Sequence, residues 1–158
     1  MKTTLLVVGK NKTAYIREAL EEYDKRISRY IPFRIQEIQD IKHAGKYTEN
    51  GIKEKEAHRI LRTLPQSATI VLLDEKGGQT TSQGFAQWLQ KEMASGSRHL
   101  VFIIGGAYGV ASDVYEKADK IISLSKMTFS HQIIRVIFAE QLYRALTILN
   151  GEPYHHGT

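Results

Sequence analysis

Residues 101–109 read Val-Phe-Ile-Ile-Gly-Gly-Ala-Tyr-Gly, an apolar run that leads directly into a glycine-rich turn. Consecutive apolar residues are typical of a strand buried on both faces, as in a parallel sheet. In such sheets ligands bind beyond the carboxyl ends of the strands, where glycine lets the backbone approach them closely. The run therefore predicts a parallel strand followed by a binding loop, although a plain tight turn would also use these glycines.

The rest of the chain alternates short apolar runs with helical periodicity. The predicted strands cover residues 3–8, 33–38, 69–73, 100–104 and 120–123. The predicted helices cover residues 14–29, 51–63, a segment with its N-cap at Thr81 or Ser82, residues 112–118 and residues 131–149, and a mobile loop is expected over residues 39–50. This alternation predicts an α/β fold with a mostly parallel sheet, in a single domain over residues 1–158.

The composition excludes several classes of protein. The chain has 158 residues, of which 42% are hydrophobic, and it has no cysteine. Disulfide scaffolds, thiolate catalysis and cysteine-based metal sites are therefore excluded. The first apolar run, Leu5 to Val8, is too short for a signal peptide, and no run is long enough to span a membrane. We therefore expect a cytoplasmic protein that is not a membrane protein.

The net charge of +5 has its excess in the first part of the chain. Residues 1–62 carry 14 basic and 9 acidic side chains, and residues 63–158 carry 8 of each. A basic region indicates a polyanionic partner such as nucleic acid, although acids at helical spacings also suit an ordinary solvated face. The basic residues concerned are Lys25, Arg26, Arg29, Arg34, Lys42, Lys46, Lys53, Lys55, Arg59 and Arg62.

The last predicted helix is apolar around nearly its whole circumference. From Ile133 to Leu149, 12 of 17 residues are apolar or tyrosine. A helix of this kind has no free wet face, so it must be either central in the domain or shared with a partner. A homodimer interface is the simpler expectation.

Two further polar segments follow predicted strands. Residues 123–132 offer serine, threonine and backbone amides for a small ligand, or alternatively a helix cap, and Leu73-Asp74 ends the third strand. Since all three segments follow strands, we expect them to form one crevice at one sheet edge. A dinucleotide is disfavoured, because the glycine spacing is Gly-Gly-x-x-Gly and no acid occurs from Lys120 to Ala139 to hold a ribose.

The C-terminal tail carries side chains suited to proton transfer. Tyr154, His155 and His156 would be an ordinary frayed end in many proteins, but tyrosine and histidine are also the residues that an acid or base step needs near neutral pH. The other histidines are scattered without ligand spacing, so no metal centre is predicted. The sequence contains neither the Gly-x-Ser-x-Gly motif of hydrolases nor the Gly-x-x-x-x-Gly-Lys-Ser/Thr motif of phosphate-binding P-loops.

Five motifs together resemble one family. The runs are LLDEKGGQ at 72–79 with Ser82, FIIGGAYG at 102–109, SLSKMTFSHQIIRV at 123–136, EQLYRA at 140–145 and PYHH at 153–156. In this order they closely resemble the RlmH family of small SPOUT-class RNA methyltransferases, and the resemblance extends over essentially the whole chain. Ser130 departs from the pattern, since the family often has proline there, and this change should alter the helix start.

The resemblance implies a fold and a cofactor. Members of the family thread their C-terminal part into a trefoil knot, which general rules would have disfavoured, and they act as homodimers. They bind S-adenosylmethionine in the knot, here within about residues 70–158. The matching positions are Leu73, Gly105, Leu124, Ser125, Lys126, Met127, Thr128 and Phe129.

The resemblance also implies a reaction, which is methylation of N3 of a pseudouridine in 23S ribosomal RNA of assembled ribosomes. We expect His155 or Tyr154 to handle the proton of the imide and Arg144 or Arg135 to stabilise the developing anion or an RNA phosphate. Arg144 could equally pair with Glu140 at i, i+4. The tail would order over the pocket with cofactor or RNA bound, from the same or the other subunit.

Two other functions compete with this interpretation. The first is a non-catalytic RNA-binding or ribosome-assembly dimer, which cofactor binding would distinguish from the methyltransferase. The second is a nucleotide-dependent oxidoreductase, which the missing ribose acid disfavours. If the chain is a methyltransferase of this family, the basic residues within 25–62 would serve as phosphate contacts, so activity should fall steeply with salt.

Overall fold

The computed structural model describes residues 1–157 as five strands and five α-helices in alternation. The strands are β1 (Lys2–Val8), β2 (Phe33–Ile38), β3 (Thr69–Gln79), β4 (His99–Ile104) and β5 (Lys120–Ser123). The helices are α1 (Ala14–Ile27), α2 (Glu49–Thr63), α3 (Ser82–Ala94), α4 (Ser112–Lys117) and α5 (Ile133–Leu149), with a single 3₁₀ turn at Ala44–Lys46.

The strands form one parallel sheet in the order β2-β1-β4-β3-β5. The predicted α/β class and parallel sheet are confirmed. Strand β3 is longer than predicted because its register against β5 shifts between Leu73 and Gly78, after which Gly78 and Gln79 pair with β5 again. Glycine is required at Gly77, since a Cβ atom there would lie 2.7 Å from the backbone of Ile121.

Helices cover both faces of the sheet. On one face α1, α3 and α5 pack against sheet side chains such as Leu5, Phe102 and Ile104. On the other face α2 and α4 pack against Leu6, Leu72 and their neighbours. Because both faces are covered, β1, β4 and the first half of β3 are continuous apolar runs, whereas the edge strand β2 alternates apolar and polar residues.

The ends of several elements differ from the sequence prediction. Helix α1 ends at Ile27, two residues early, and α2 begins at Glu49 because the Thr48 side chain caps it by accepting a hydrogen bond from the Gly51 amide at 3.0 Å. The 3₁₀ turn lies within residues 39–50, which were predicted as a loop. Helix α5 begins at Ile133, where the Ser130 hydroxyl oxygen accepts a hydrogen bond from the Ile133 amide at 3.1 Å.

Residues 124–132 carry the chain from β5, at one edge of the sheet, to the carboxyl end of β1. There the Gln132 side chain donates to the Lys10 carbonyl at 3.0 Å and accepts from the Lys12 amide at 3.3 Å. Helix α5 then lies between α1 and α3. Its side chains are buried or half-buried throughout, so a central position accounts for much of its apolar character. None of the helices within residues 1–157 is long and apolar enough to cross a membrane.

Arg135, on the first turn of α5, is fully buried at this crossing. Its guanidinium donates to the carbonyls of Val8 and Gly9 and to the Asn11 side chain, and its Nε donates to the His131 carbonyl at 2.9 Å. Burial lowers the pKa of Arg135 to about 10, so the side chain remains charged at neutral pH. Arg135 therefore holds α5 against β1. Its buried guanidinium does not face a ligand, contrary to the role predicted for it.

We expect Arg135→Met to lower the free energy of unfolding by about 3 kcal/mol, because it leaves buried carbonyl groups without donors. The exposed Arg98 supplies the control, since Arg98→Met should cost no more than about 0.5 kcal/mol. Urea denaturation of both variants measures the difference. Equal stabilities would show that Arg135 does not hold the crossing.

Candidate functional site

A cleft of about 310 Å³ lies at the carboxyl edge of the sheet. Its size falls at the lower end of the range of small-molecule sites. Three segments that were predicted to converge do so here, namely residues 73–75, the glycine loop after β4 and the segment after β5, although Leu73-Asp74 lie within β3 and do not end it. The residues that line the cleft are Leu73, Asp74, Glu75, Ile104, Gly105, Gly106, Ala107, Tyr108, Gly109, Val110, Leu124, Ser125, Met127, Thr128, Phe129, His131 and Ile134.

The loop after β4 depends on its glycines. A Cβ atom on Gly105 would lie 2.6 Å from Cγ1 of Val110 and 3.1 Å from the carbonyl oxygen of Gly109, so the loop could not keep its present path. Gly109 has φ +86°, in the left-handed region that favours glycine. The Gly109 amide donates to the Gly106 carbonyl at 3.0 Å, which closes the turn. The loop is thus a tight turn and also one wall of the cleft.

Asp74, where the pairing of β3 with β5 is interrupted, supplies a carboxylate whose position is set by two donors. The Tyr115 hydroxyl donates to Oδ2 of Asp74 at 2.7 Å, and the Lys76 amide donates to Oδ1 at 2.9 Å. Burial and the neighbouring Asp74 raise the pKa of Tyr115, so Tyr115 remains a protonated donor. Asp74 and Glu75 therefore give this side of the cleft negative charge, opposite the apolar side chain of Leu124.

The segment after β5 is held by its own serines and exposes apolar side chains. The Ser123 hydroxyl donates to the Ser125 carbonyl at 2.9 Å, and the Ser125 hydroxyl accepts from the Met127 amide at 3.0 Å. Met127 is 76% exposed and Phe129 is 44% exposed at the mouth of the cleft. Lys126 is exposed and is the one predicted position of this segment that does not line the cleft.

His131 also lines the cleft, and sequence reasoning missed it. Burial lowers the pKa of His131, and the positive charges of Arg135 and Lys12 lower it further, against the opposing charge of Asp40. The imidazole is therefore neutral near pH 7. In the sequence, His131 is one of several scattered histidines that lack the spacing of metal ligands. No cluster of histidine, aspartate and glutamate suited to a metal ion occurs within residues 1–157.

Glu56 of α2 lies behind the glycine loop. It is 7% exposed, a Cβ atom on Gly106 would collide with its carboxylate, and its Oε2 has no hydrogen-bond partner within the described part of the chain. Burial, followed by the charge of Asp40, raises the pKa of Glu56 to about 7, against the opposing charge of Arg59. Its helical spacing from Ile52 and Ile60, four residues before and after it, is the signal that could have placed Glu56 on the buried face of α2.

The residues proposed for proton transfer form a separate cluster at the other end of α5. The Arg144 guanidinium pairs with Glu140, which confirms the i, i+4 pair, and its Nη1 lies 3.3 Å from Nδ1 of His155. The Tyr154 hydroxyl donates to Glu140 at 3.1 Å. Burial, with the nearby Tyr23 hydroxyl and the Glu140 carboxylate, raises the pKa of Tyr154 to about 12.

Within a single chain, the cluster of Arg144, Tyr154 and His155 lies away from the cleft. Ile134 lines the cleft, and Arg144 lies ten residues further along α5, a rise of about 15 Å. The tail contacts α3, where the Gln83 side chain donates to the Gly157 carbonyl at 3.5 Å, and the turn after α1, where the Tyr30 hydroxyl donates to Glu152. Of the predicted catalytic residues, Arg144, Tyr154 and His155 therefore share a cluster away from the cleft, and Arg135 lies in neither place.

The chain is similar to known proteins over nearly its whole length. A family model described as "Predicted SPOUT methyltransferase" matches residues 1–155. The ribosomal RNA large subunit methyltransferase H of Parabacteroides distasonis is 51% identical over 156 residues, 99% of each chain. The proteins of the same name from Porphyromonas gingivalis and Bacteroides fragilis are 48% and 47% identical over the same share of each chain.

The raised pKa of Glu56 predicts a specific pH dependence of stability. The folded protein retains this proton up to about pH 7, whereas the unfolded chain releases it near the ordinary value of 4.5. Stability from this group is therefore present at low pH and is lost as the pH rises through 7. We expect Glu56→Gln to lose less stability than the wild type between pH 5 and pH 8.

Urea denaturation at several pH values measures this difference. The exposed Glu54 on the same helix provides the matched control, since Glu54→Gln should keep the wild-type pH dependence. If Glu56→Gln and Glu54→Gln have the same pH profile, Glu56 is not the group responsible.

Proposed function

The chain belongs to the SPOUT methyltransferase family, and from that premise we propose that it transfers a methyl group from S-adenosylmethionine to N3 of a pseudouridine in large-subunit ribosomal RNA. The family carries the knotted fold, and the crossing of residues 124–132 to β1 is the part of the chain that this threading involves. The similarity to enzymes named ribosomal RNA large subunit methyltransferase H supports the substrate class.

The observation that carries the proposal is the cleft itself. Seven of the eight positions that the family resemblance assigns to the cofactor line it, all except Lys126. Its chemistry also suits S-adenosylmethionine, whose sulfonium and ammonium groups are positive and whose adenine is flat and apolar. The carboxylates of Asp74 and Glu75 match the positive charge, while Leu73, Ile104 and Leu124 provide apolar walls.

The glycine loop and the segment after β5 would hold the cofactor mainly through backbone groups. Gly105 leaves room because it has no side chain, and Leu124, Ser125, Met127, Thr128 and Phe129 line the cleft with it. When bound, S-adenosylmethionine supplies a methyl group on a positively charged sulfur that a nitrogen nucleophile can take directly. The chain must then orient the acceptor base and receive or release its N3 proton.

Tyr154 and His155 have limited capacity to act as bases in the arrangement seen. Tyr154 has a pKa of about 12 and donates to Glu140, so its hydroxyl remains protonated. Arginine can only donate, so Nδ1 of His155 accepts from Arg144 and a neutral ring carries its proton on Nε2. We propose that Tyr154 and His155 position the pseudouridine and, together with Arg144, stabilise the negative charge that develops on it. His131, neutral and in the cleft, is the candidate proton acceptor within the same chain.

We propose that a homodimer brings the tail of one subunit to the cleft of the other. This arrangement would resolve the separation of about 15 Å along α5 within one chain. Apolar side chains of the helix that are only half-buried in one chain support it, among them Ile133, Val136 and Tyr143. A two-fold interface would bury both copies of this surface. The alternative function, a non-catalytic RNA-binding dimer, requires no cofactor.

Isothermal titration with S-adenosylmethionine separates the two functions. We expect saturable binding to the wild type and at least about a 30-fold weaker affinity for Gly105→Ala, because the added Cβ atom displaces Val110 and the loop. Gly45→Ala is the control, because a Cβ atom there meets nothing within 4 Å. A folded wild-type protein that does not bind S-adenosylmethionine would instead support the non-catalytic dimer.

Mixing two inactive variants tests the shared site. Gly105→Ala damages the cleft and His155→Asn damages the tail, so each homodimer should lose at least about 100-fold in methyl transfer to ribosomes. In a 1:1 mixture refolded together, half of the dimers are mixed, and each has one intact site, so about a quarter of wild-type activity should return. Mixed dimers without recovered activity would mean that cleft and tail act within one chain.

A further inference from the structure

A second concave surface lies on the opposite face of the sheet from α5, between α2 and the chain that precedes it. It encloses about 670 Å³ and is open to solvent. We call it the basic groove. Its lining residues are Ile41, Lys42, His43, Tyr47, Gly51, Glu54, Lys55, His58, Arg59 and Arg62.

The charge of the basic groove is strongly positive. Four lysine or arginine side chains and two histidines line it, against the single carboxylate of Glu54. Lys55, Arg59 and Arg62 are spaced four and three residues apart, which places them on one face of α2 over a rise of about 11 Å. A row of cations with this spacing suits a chain of phosphates better than a single small anion.

An aromatic side chain lies within this row of charges. Tyr47 is 42% exposed, and Nζ of Lys55 lies 4.5 Å from the centre of its ring. Exposed aromatic rings beside cations are the common means of binding unpaired bases, since a base stacks on the ring while its phosphate meets the cation. In a duplex the bases are already stacked on one another, so this combination favours a single strand.

Hydrogen bonds within the chain hold the loop that carries Tyr47 against α2. Nη1 of Arg59 donates to the carbonyls of Gln39 at 2.7 Å and Asp40 at 3.0 Å, and the Tyr47 amide donates to the Ala44 carbonyl at 3.1 Å. The groove is therefore formed before binding, and little ordering is needed when a ligand enters.

The groove is also close to the cleft. Helix α2 separates the two, because Glu56 faces the glycine loop at Gly106 while its neighbour Lys55 faces the groove. The distance across is of the order of one helix diameter, about 10 Å. A strand held in the groove could continue into the cleft within a few nucleotides.

We propose that the basic groove binds a single-stranded segment of RNA, with phosphates against Lys42, Lys55 and Arg62 and one base stacked on Tyr47. The proposal rests on the proposed function, because it assigns to the methyltransferase a second hold on its RNA substrate, apart from the nucleotide in the cleft. An acidic protein segment is the other ligand that such a surface would attract, and the experiment below distinguishes it.

Fluorescence anisotropy with a labelled, mixed-sequence single-stranded RNA of 12 nucleotides tests the proposal on the full-length protein. We expect Lys55→Glu/Arg62→Glu to weaken binding by at least about 30-fold and to reduce the slope of log affinity against log salt by more than about 1. Tyr47→Ala should weaken binding by about 10-fold without changing that slope, and Tyr47→Phe should bind like the wild type.

The matched control reverses the same number of charges elsewhere. Lys91 on α3 and Arg98 before β4 are exposed and lie outside the groove, so Lys91→Glu/Arg98→Glu should change the affinity for RNA by less than about threefold. Circular dichroism and titration with S-adenosylmethionine on the same proteins show whether fold and cleft are intact in each variant.

The outcomes separate this proposal from the proposed function. If the groove variants bind RNA like the wild type, or lose no more affinity than the control, the groove proposal is overturned while the cleft assignment stands. The groove proposal is also overturned if the groove variants lose activity on ribosomes but keep their affinity for RNA, since the groove would then contact a protein. If the wild type binds RNA through the groove but does not bind S-adenosylmethionine, the groove proposal is supported and the proposed function fails.

Discussion

A buried arginine joins the start of the last helix, α5, to the carboxyl end of β1. Arg135 is fully buried, and its guanidinium donates to the last two carbonyls of the β1 segment and to Asn11. A charge in such a place is stable only if its donors are satisfied, so the geometry of both partners is closely constrained. Residues 124–132 must therefore cross from β5 to β1, and in doing so they form one side of the cleft.

Charge divides the functional surface into two parts. The cleft has the carboxylates of Asp74 and Glu75 on its walls, which suits a cationic methyl donor, whereas the groove outside α2 is lined by cations, which suit RNA. Helix α2 lies between them, with Glu56 directed to the glycine loop and Lys55 to the groove. Keeping the two charges on opposite sides of one helix prevents the cationic ligand and the polyanion from competing for the same surface.

The size of the domain explains why a second subunit is needed in the proposed mechanism. Helix α5 carries the cleft near its start and the cluster of Arg144, Tyr154 and His155 near its end, about 15 Å away. The hydrogen bonds of that cluster, from Tyr154 to Glu140 and from Arg144 to His155, orient groups that do not line the cleft of their own chain. A two-fold partner offers the shortest way to place them over a cleft.

The sequence alone determined the fold class, the order of elements and the three segments that meet at the cleft. Those features follow from local patterns, because apolar runs, helical periodicity and glycine turns depend on neighbours in the chain. The tertiary structure alone decided the roles of particular side chains. Arg135 and Glu56 are charged residues at otherwise apolar positions of α5 and α2, and only packing decided which groups meet their charges, whereas the lowered pKa of His131 comes from burial and from the charges of Arg135 and Lys12. Tyr47 and Lys55 form one surface because a loop folds back on a helix. Burial and electrostatics depend on residues far apart in the chain, so no local pattern carries them.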